Sequence, residues 1–271
     1  KFKAEVESGL CKMLCIGLGK AAGAVACHRF AVREGFAVIE AAARKLIDCV
    51  NLLFGVGVIE DGYGRLAHIE LLRPETLVER EKALLRMAYS MMGRIPSDFL
   101  DILIIDRIGK DISGIGMDSN VTGRHRDITG DFSLPPNPKR IFVRDLTDGS
   151  QGNGNGIGLA DITTDRLVSR LDMKKTLVNA LTAISPEKAA IPIHFKTDQE
   201  CIDACIRTCG VENPEDARIV RIKDTASLQY LEISKSLQPE LAGRDGVCRI
   251  TPWRKWQFDA YGNLPQFYKY E

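Results

Sequence analysis

The residues best placed to do chemistry lie near the start of the chain. Lys12 and Lys20 flank the glycine pair Gly17-Leu18-Gly19, Gly23 extends the series, and His28 follows. Ser8-Gly9-Leu10-Cys11 leads into Lys12. A glycine-rich turn feeding a helix presents backbone N–H groups at the positive end of the helix dipole, which favours a phosphate or carboxylate. The lysines add charge, and an imidazole can ligate a metal or carry a proton. The plainer readings are glycines that allow close packing and a histidine with an ordinary structural hydrogen bond. A third reading is a dinucleotide loop, hence an NAD(P)-dependent oxidoreductase using residues 17–23. Against it, Gly17-x-Gly19-x-x-x-Gly23 departs from GxGxxG. Residues 24–49 also read as helix where a second strand ending in an acidic residue should stand.

A second concentration of polar groups spans residues 108–124. Lys110, Ser113, Asn120 and Arg124 follow the apolar run 100–106 (LDILIID). A loop at the carboxyl end of a strand in an α/β sheet is the usual place for ligand contacts. These side chains offer charge and donors to a carboxylate or keto oxygen, and arginine can bind a carboxylate bidentately. The competing reading is a structural glycine loop in which Asp118 and Asn120 make turns. Cys201, Cys205 and Cys209 recur on one helix face without a local fourth ligand and read as buried apolar thiols. His194 ends an apolar strand and reads as a hydrogen-bonded structural side chain. His125 is expected in a solvated charged loop, and His68 is expected to point outward from a hairpin strand. The run 152–158 (GNGNGIG) lacks the lysine of a P-loop. Trp253, Arg254 and Trp256 are expected to anchor against another domain.

The elements that must position these groups alternate. Residues 12–18 read as a short buried strand or strand-like turn, 24–33 and 36–49 as helices, and 52–59 with 66–72 as a hairpin around Asp61-Gly62-Tyr63-Gly64. A helix follows over 74–92, with Pro74 near its start and Gly93 after its end. Strands are expected at 100–106, 140–146, 190–195 and 217–223, and helices at 174–183 and 198–209. Residues 124–138 form a long polar loop. This pattern predicts an α/β protein of two layered domains, 1–97 and 98–271, with the last residues returning to the first domain.

Composition narrows the function. The 271 residues include 37 Lys or Arg and 36 Asp or Glu, a net charge of +1 that leaves no global footprint for nucleic acid. With 45% hydrophobic and 27% charged residues, the chain is of globular type. The longest uncharged apolar stretch, 49–59, is too short to span a bilayer, and no secretory signal pattern is present. Eight cysteines without a CxxC pair are expected to be reduced thiols in a cytoplasm. Lys1-Phe2-Lys3-Ala4-Glu5 reads as the middle of a longer sequence.

Residues 8–28 (SGLCKMLCIGLGKAAGAVACH), together with 108–124 (IGKDISGIGMDSNVTGR), resemble the nickel-pincer isomerases related to lactate racemase, in an uncharacterised branch. The resemblance covers residues 1 to about 127 and is expected to continue to the end. It implies a racemase or epimerase of a small 2-hydroxy acid that works by reversible hydride transfer to a nickel-pincer nucleotide. Lys12 would tether that nucleotide covalently. His28, sixteen residues on, would ligate the nickel, a role suited to a neutral imidazole beside two sulfurs and a ring carbon. Gly9, Gly17 and Gly19 would lie against the cofactor, and Lys110, Ser113, Asn120 and Arg124 against the substrate. His28 would need a partner for its second ring nitrogen. The family's acid/base histidines are expected upstream of Lys1, so the chain is read as the C-terminal part of the enzyme with its first domain incomplete. Asp118-Ser119-Asn120 matches the family's Asp-x-Asn, whereas Gly123-Arg124 does not reproduce the Gln and Lys that follow it. Dedicated maturation enzymes are implied as partners, and a recombinant sample made without them would lack the cofactor. A non-catalytic binding fragment is the alternative from a different class.

Overall fold

The computed structural model describes residues 5–6, 9–61, 65–126, 128 and 131–267. The protein is an α/β fold that divides into two compact units. One holds the described residues of 1–92 together with 182–184, and the other holds 93–181 and 185–267. The division follows Met92 rather than residue 97, because Ile95 already packs in the core of the second unit.

The first unit begins with a helix, α1, whose α-helical turn Leu10–Lys12 runs into a π turn at Met13–Gly17. Helices α2 (Lys20–Glu34) and α3 (Ala37–Cys49) follow, with Gly35 capping α2 at φ 87°. Strands β1 (Gly55–Glu60) and β2 (Leu66–Leu72) form an antiparallel pair, and α4 (Leu77–Met91) closes the unit. Burial alternates along β1 as a two-residue repeat requires, with Ile59 inward and Val56 and Val58 outward. The core gathers Cys11 and Cys15 of α1, Ile39 and Ala43 of α3, Ile59, Leu72, and Leu77, Val78 and Leu84 of α4. The expected strand at 12–18 is therefore helical. Leu10, Cys11, Lys12, Met13 and Leu14 carry no β-branch, so propensity favours helix there once the backbone N–H groups find an acceptor.

The second unit is built on a six-stranded sheet. Its strands are β3 (Ile102–Ile105), β6 (Arg140–Val143), β7 (Ile162–Thr164), β8 (Ile193–Phe195), β9 (Ile219–Ile222) and β10 (Glu232–Ile233), in spatial order β10-β9-β3-β6-β7-β8. All neighbours are parallel except the edge pair β10 and β9. The run Ile102-Leu103-Ile104-Ile105 is buried on both faces, the mark of a central parallel strand. Leu103, Ile105, Ile141, Val143, Val220 and Ile222 face one layer. Ile102, Ile104, Phe142 and Ile219 face the other, where they meet α8 (Asp198–Thr208). That helix starts at a capping box in which Thr197 and Glu200 bond each other's backbone N–H groups. Cys201 and Cys205 on its buried face and Cys209 at its C-terminal cap are buried free thiols. Burial pushes the Cys201 thiol up to about 12.

Three smaller elements lie between β3 and β6: the turn of helix α5 (Ser119–Thr122) and the short pair β4 (Arg124–His125) and β5 (Phe132–Ser133). Helices α6 (Asp165–Ser169) and α7 (Met173–Thr182) follow β7, and α9 (Gln238–Leu241) follows β10. The described C-terminal residues, up to 267, belong to the second unit. Leu264 is buried against Ile102 and Ile104, and Trp256 packs on the same cluster. Arg254 lies 3.7 Å from Glu232, so the aromatic–Arg group anchors within its own unit. The expected His125 loop is also different: His125 is buried, with Nδ1 3.2 Å from Ser119 Oγ. His68 keeps a half-exposed place beside Glu70, with Nε2 3.3 Å from a carboxylate oxygen.

Candidate functional site

The glycine series of the first unit sits at a corner between two helical arms. Residues Leu10–Gly17 and Lys20–Glu34 meet at 113°. A Cβ placed on Gly19 would stand 2.4 Å from the Cys15 carbonyl oxygen and 2.8 Å from the Gly23 Cα. On Gly23 it would stand 2.9 Å from the same oxygen. These two glycines let the arms touch backbone to backbone. The Gly23 N–H donates to Gly19 O at 2.7 Å, so that group serves the corner. Gly17 packs against Met13. A dinucleotide loop requires a strand before the glycines. The element before them is α1, so the oxidoreductase reading loses its structural context.

Lys12 and His28 stand on the two arms. Lys12 is exposed at the end of the first turn of α1, and among the described residues its ammonium has no partner. His28 is half-buried on α2, and its Nδ1 lies 2.6 Å from Ala24 O, one turn back. A carbonyl can only accept, so Nδ1 carries the proton. In the neutral ring Nε2 then keeps its lone pair. A metal-binding histidine is commonly oriented this way, with its second nitrogen tied to a backbone carbonyl. No group of three or more His, Cys, Asp or Glu side chains poised for a metal occurs among the described residues. Among the described residues no such set surrounds this imidazole, which would suit a metal whose other ligands arrive with a cofactor.

The N-terminus of α1 rests on a residue that the sequence reading passed over. Gly9 turns at φ 108°, a conformation glycine adopts freely, and the Cys11 N–H donates to Glu81 Oε2 at 2.8 Å. Glu81 belongs to α4 and is 4% exposed. Its helical spacing with Leu77, Leu84 and Ala88 places it on the buried stripe, a signal visible in the sequence. Burial pushes the Glu81 carboxyl above its ordinary value, against the pull of the Cys11 and Leu10 backbone N–H groups. Burial also pushes up the thiols beside it, Cys15 to about 11.

The four residues expected to touch substrate belong to the second unit and are mostly engaged there. Arg124, expected to offer a free fork to a carboxylate, is instead a loop staple. It donates to Asp161 Oδ2 at 2.5 Å, Pro138 O at 2.7 Å, Lys139 O at 3.2 Å and Leu159 O at 3.3 Å. Lys110 Nζ donates to Asn179 Oδ1 at 3.0 Å and to Gly114 O. Asn120 bonds Asp118 through its backbone and side chain, which is the turn-making alternative. Ser113 is half-buried, and among the described residues its hydroxyl has no partner.

The carboxyl ends of β3 and β9 form the switch point of the sheet, since the connection from β3 leads toward β6 and that from β9 toward β10. The groups there are paired. Arg221, 1% exposed, forks onto both oxygens of Asp106 at 2.7 Å and reaches Glu232 at 3.0 Å. Arg144 bridges Asp106 at 2.6 Å and Asp198 at 2.5 Å, and Arg166 also meets Asp198 at 3.1 Å. The carbonyls of Leu264 and Pro265 complete the shells of Arg144 and Arg221, and the Phe267 ring lies 5.5 Å from the Arg221 guanidinium carbon. Three cations and three anions are matched, so this edge is a structural ion network, built from residues that the sequence reading did not single out.

A scan of protein-family models, a search of curated proteins and a search of solved structures each returned no match. No single helix among the described residues is long and apolar enough to cross a membrane.

Proposed function

We propose that this chain is the cofactor-carrying part of a racemase or epimerase of small 2-hydroxy acids, with Lys12 as the tether of a nickel-pincer nucleotide and His28 as the protein ligand of its nickel. The observation that supports the reading is the Nδ1–H···O=C bond from His28 to Ala24, which in the neutral imidazole leaves the Nε2 lone pair to coordinate. The exposed amine of Lys12 suits a covalent attachment made by other enzymes. When bound, the group supplies a ring that accepts and returns a hydride. The chain's own contribution is to hold its attachment point and its metal ligand on two arms whose angle is set by the Gly19–Gly23 contact with Cys15 O. The eight free thiols suit a reducing cytoplasm. Of the expected substrate contacts, Ser113 keeps a hydroxyl uncommitted among the described residues, whereas Arg124 and Lys110 hold loops.

The test is production together with the family's maturation enzymes, followed by nickel analysis and peptide mass spectrometry. The reading expects one nickel per chain and a mass increment on the peptide containing Lys12. Lys12→Ala removes both. His28→Ala keeps the increment and loses nickel. Loading unchanged in Lys12→Ala would overturn the tether assignment. A chain that never takes up nickel or gains mass would favour a binding fragment.

A further inference from the structure

Beneath α1 lies a pocket of about 380 Å³ that the proposed chemistry does not use. Leu10 and Met13 of α1, the inward-facing Gly57 and Ile59 of β1, and Leu84 and Leu85 of α4 form its apolar walls. Its size falls within the range of about 300–1,000 Å³ found for small-molecule sites, which are mostly apolar with a few placed polar groups. The placed group here is Glu81. One oxygen, Oε2, is held by the Cys11 N–H. The other, Oε1, is buried and has no hydrogen-bond partner among the described residues. It lies against the open side of Gly9, where a Cβ would come within 3.0 Å of it, and both Gly9 and Glu81 line the pocket.

A buried acceptor without a donor is costly, and native structures rarely leave one unless a ligand or water supplies the donor. The charge of the lining chooses between ligand classes. Its charged residues are Glu60 at the exposed edge and Glu81 within, and among the described lining residues none is cationic. Anions are therefore disfavoured. A ligand that fills the walls and meets Oε1 must join an apolar body to a hydrogen-bond donor, best a charged one.

We infer that this pocket binds a primary alkylammonium or arylalkylammonium ion, with its apolar chain between α1, β1 and α4 and its ammonium donating to Glu81 Oε1. This is independent of the nickel-pincer reading. Neither Lys12 nor His28 lines the pocket, so either assignment can fail alone.

Titration calorimetry of the whole chain at pH 8 with hexylammonium, hexan-1-ol and hexanoate tests it. The proposal expects saturable hexylammonium binding, at least about tenfold weaker hexanol binding, and none for hexanoate, in line with the strength of a charge-assisted bond. Glu81→Gln keeps an acceptor for the Cys11 N–H and is expected to weaken hexylammonium by about tenfold or more while leaving hexanol unchanged. Ala88→Phe, which fills the pocket without touching the carboxylate, is expected to abolish binding of both. Equal affinity for amine and alcohol, or an unchanged amine affinity in Glu81→Gln at an unaltered circular dichroism spectrum, would overturn it. So would a crystal of the chain soaked in hexylammonium that shows an ordered water alone on Oε1.

Discussion

The corner of the first unit and the carboxyl edge of the second unit both crowd polar groups around a backbone turn, and they treat those groups in opposite ways. At the sheet edge every buried charge meets its opposite: Asp106 between Arg221 and Arg144, Asp198 between Arg144 and Arg166. At the corner, among the described residues, Lys12 is exposed, His28 keeps a free ring nitrogen, and Glu81 leaves one oxygen without a donor. The switch point of a parallel sheet is the conventional place to look for a ligand. In this molecule that place is closed by ion pairs and by the carbonyls of Leu264 and Pro265, and groups able to do more than hold the fold lie in the helical corner. Polar density alone does not mark a site. What distinguishes the corner is unspent hydrogen-bonding capacity.

The sharpest way to break the comparison is to unpair the edge. Asp106→Ala strips the shared anion from two arginines that are almost fully buried, Arg221 at 1% and Arg144 at 7% exposure. Glu232 and Asp198 remain, but the network is left with one buried positive charge in excess, which costs about 3–5 kcal/mol, so the second unit should lose that much in urea unfolding followed by tryptophan fluorescence. A change below about 1 kcal/mol would mean that the arginines find water or other acceptors and that the edge is less closed than its geometry implies.

A smaller effect is expected at the corner. Gly19→Ala puts a methyl group 2.4 Å from the Cys15 carbonyl oxygen, which only a shift of one helical arm can relieve. Overpacking of this kind costs about 1–3 kcal/mol, and the opening of the angle should show as faster amide exchange in α2 but not in β3. If exchange and stability stayed at their original values, the close approach of the arms would not be what sets the angle between Lys12 and His28.

How much of this was legible beforehand follows from where the physics is local. The runs 100–106 and 140–146 betray buried parallel strands because both faces must be apolar, and the Thr197-x-x-Glu200 box announces α8. Strand β7 was missed because Thr163 and Thr164 are polar in type. Their hydroxyls are nonetheless buried by bonding Val143 O and Arg144 O on the neighbouring strand. The edge network was illegible because Asp106, Arg144, Asp198 and Arg221 are far apart in sequence and meet only through strand order. Lys12 and His28 stood out as a pair only through the family resemblance, while the orientation of His28 by Ala24 O depends on α2 beginning at Lys20, four residues before its Ala-rich core. Glu81 was hidden among the charges of residues 79–82, although its position on the stripe of Leu77, Leu84 and Ala88 was readable.

Thiol labelling sharpens the comparison without altering stability. Cys49 and Cys248 are exposed, whereas Cys11, Cys15, Cys201, Cys205 and Cys209 are buried. Burial pushes Cys15 up to about 11 and Cys201 up to about 12, so neither supplies thiolate at pH 8. Iodoacetamide should modify Cys49 and Cys248 first, as read by peptide mass spectrometry. Early labelling of Cys15 would show that the corner opens more often than the edge. Early labelling of Cys201 would show the reverse.

The smallest expected effect is one of slope. Burial raises the Glu81 carboxyl in the folded chain, so the folded state binds that proton more tightly than the unfolded state does. The resulting stability is fully present below the unfolded carboxyl value of about 4.3 and is lost as pH rises through the raised folded value. Neighbouring carboxyls act in the opposite direction. Glu40, despite some burial, is held down by Arg44 and Lys82, and Glu79 is held down chiefly by Arg44, so their support is present above the ordinary range and fails in acid. Those groups are common to wild type and Glu81→Gln, so the difference between the two stability-versus-pH curves isolates Glu81. It should favour the variant progressively as pH climbs from about 4.3 toward neutrality. Parallel curves would place the Glu81 proton in the same balance folded and unfolded. The carboxylate would then be compensated after all, and the contrast between an unspent corner and a closed edge would lose its most buried member.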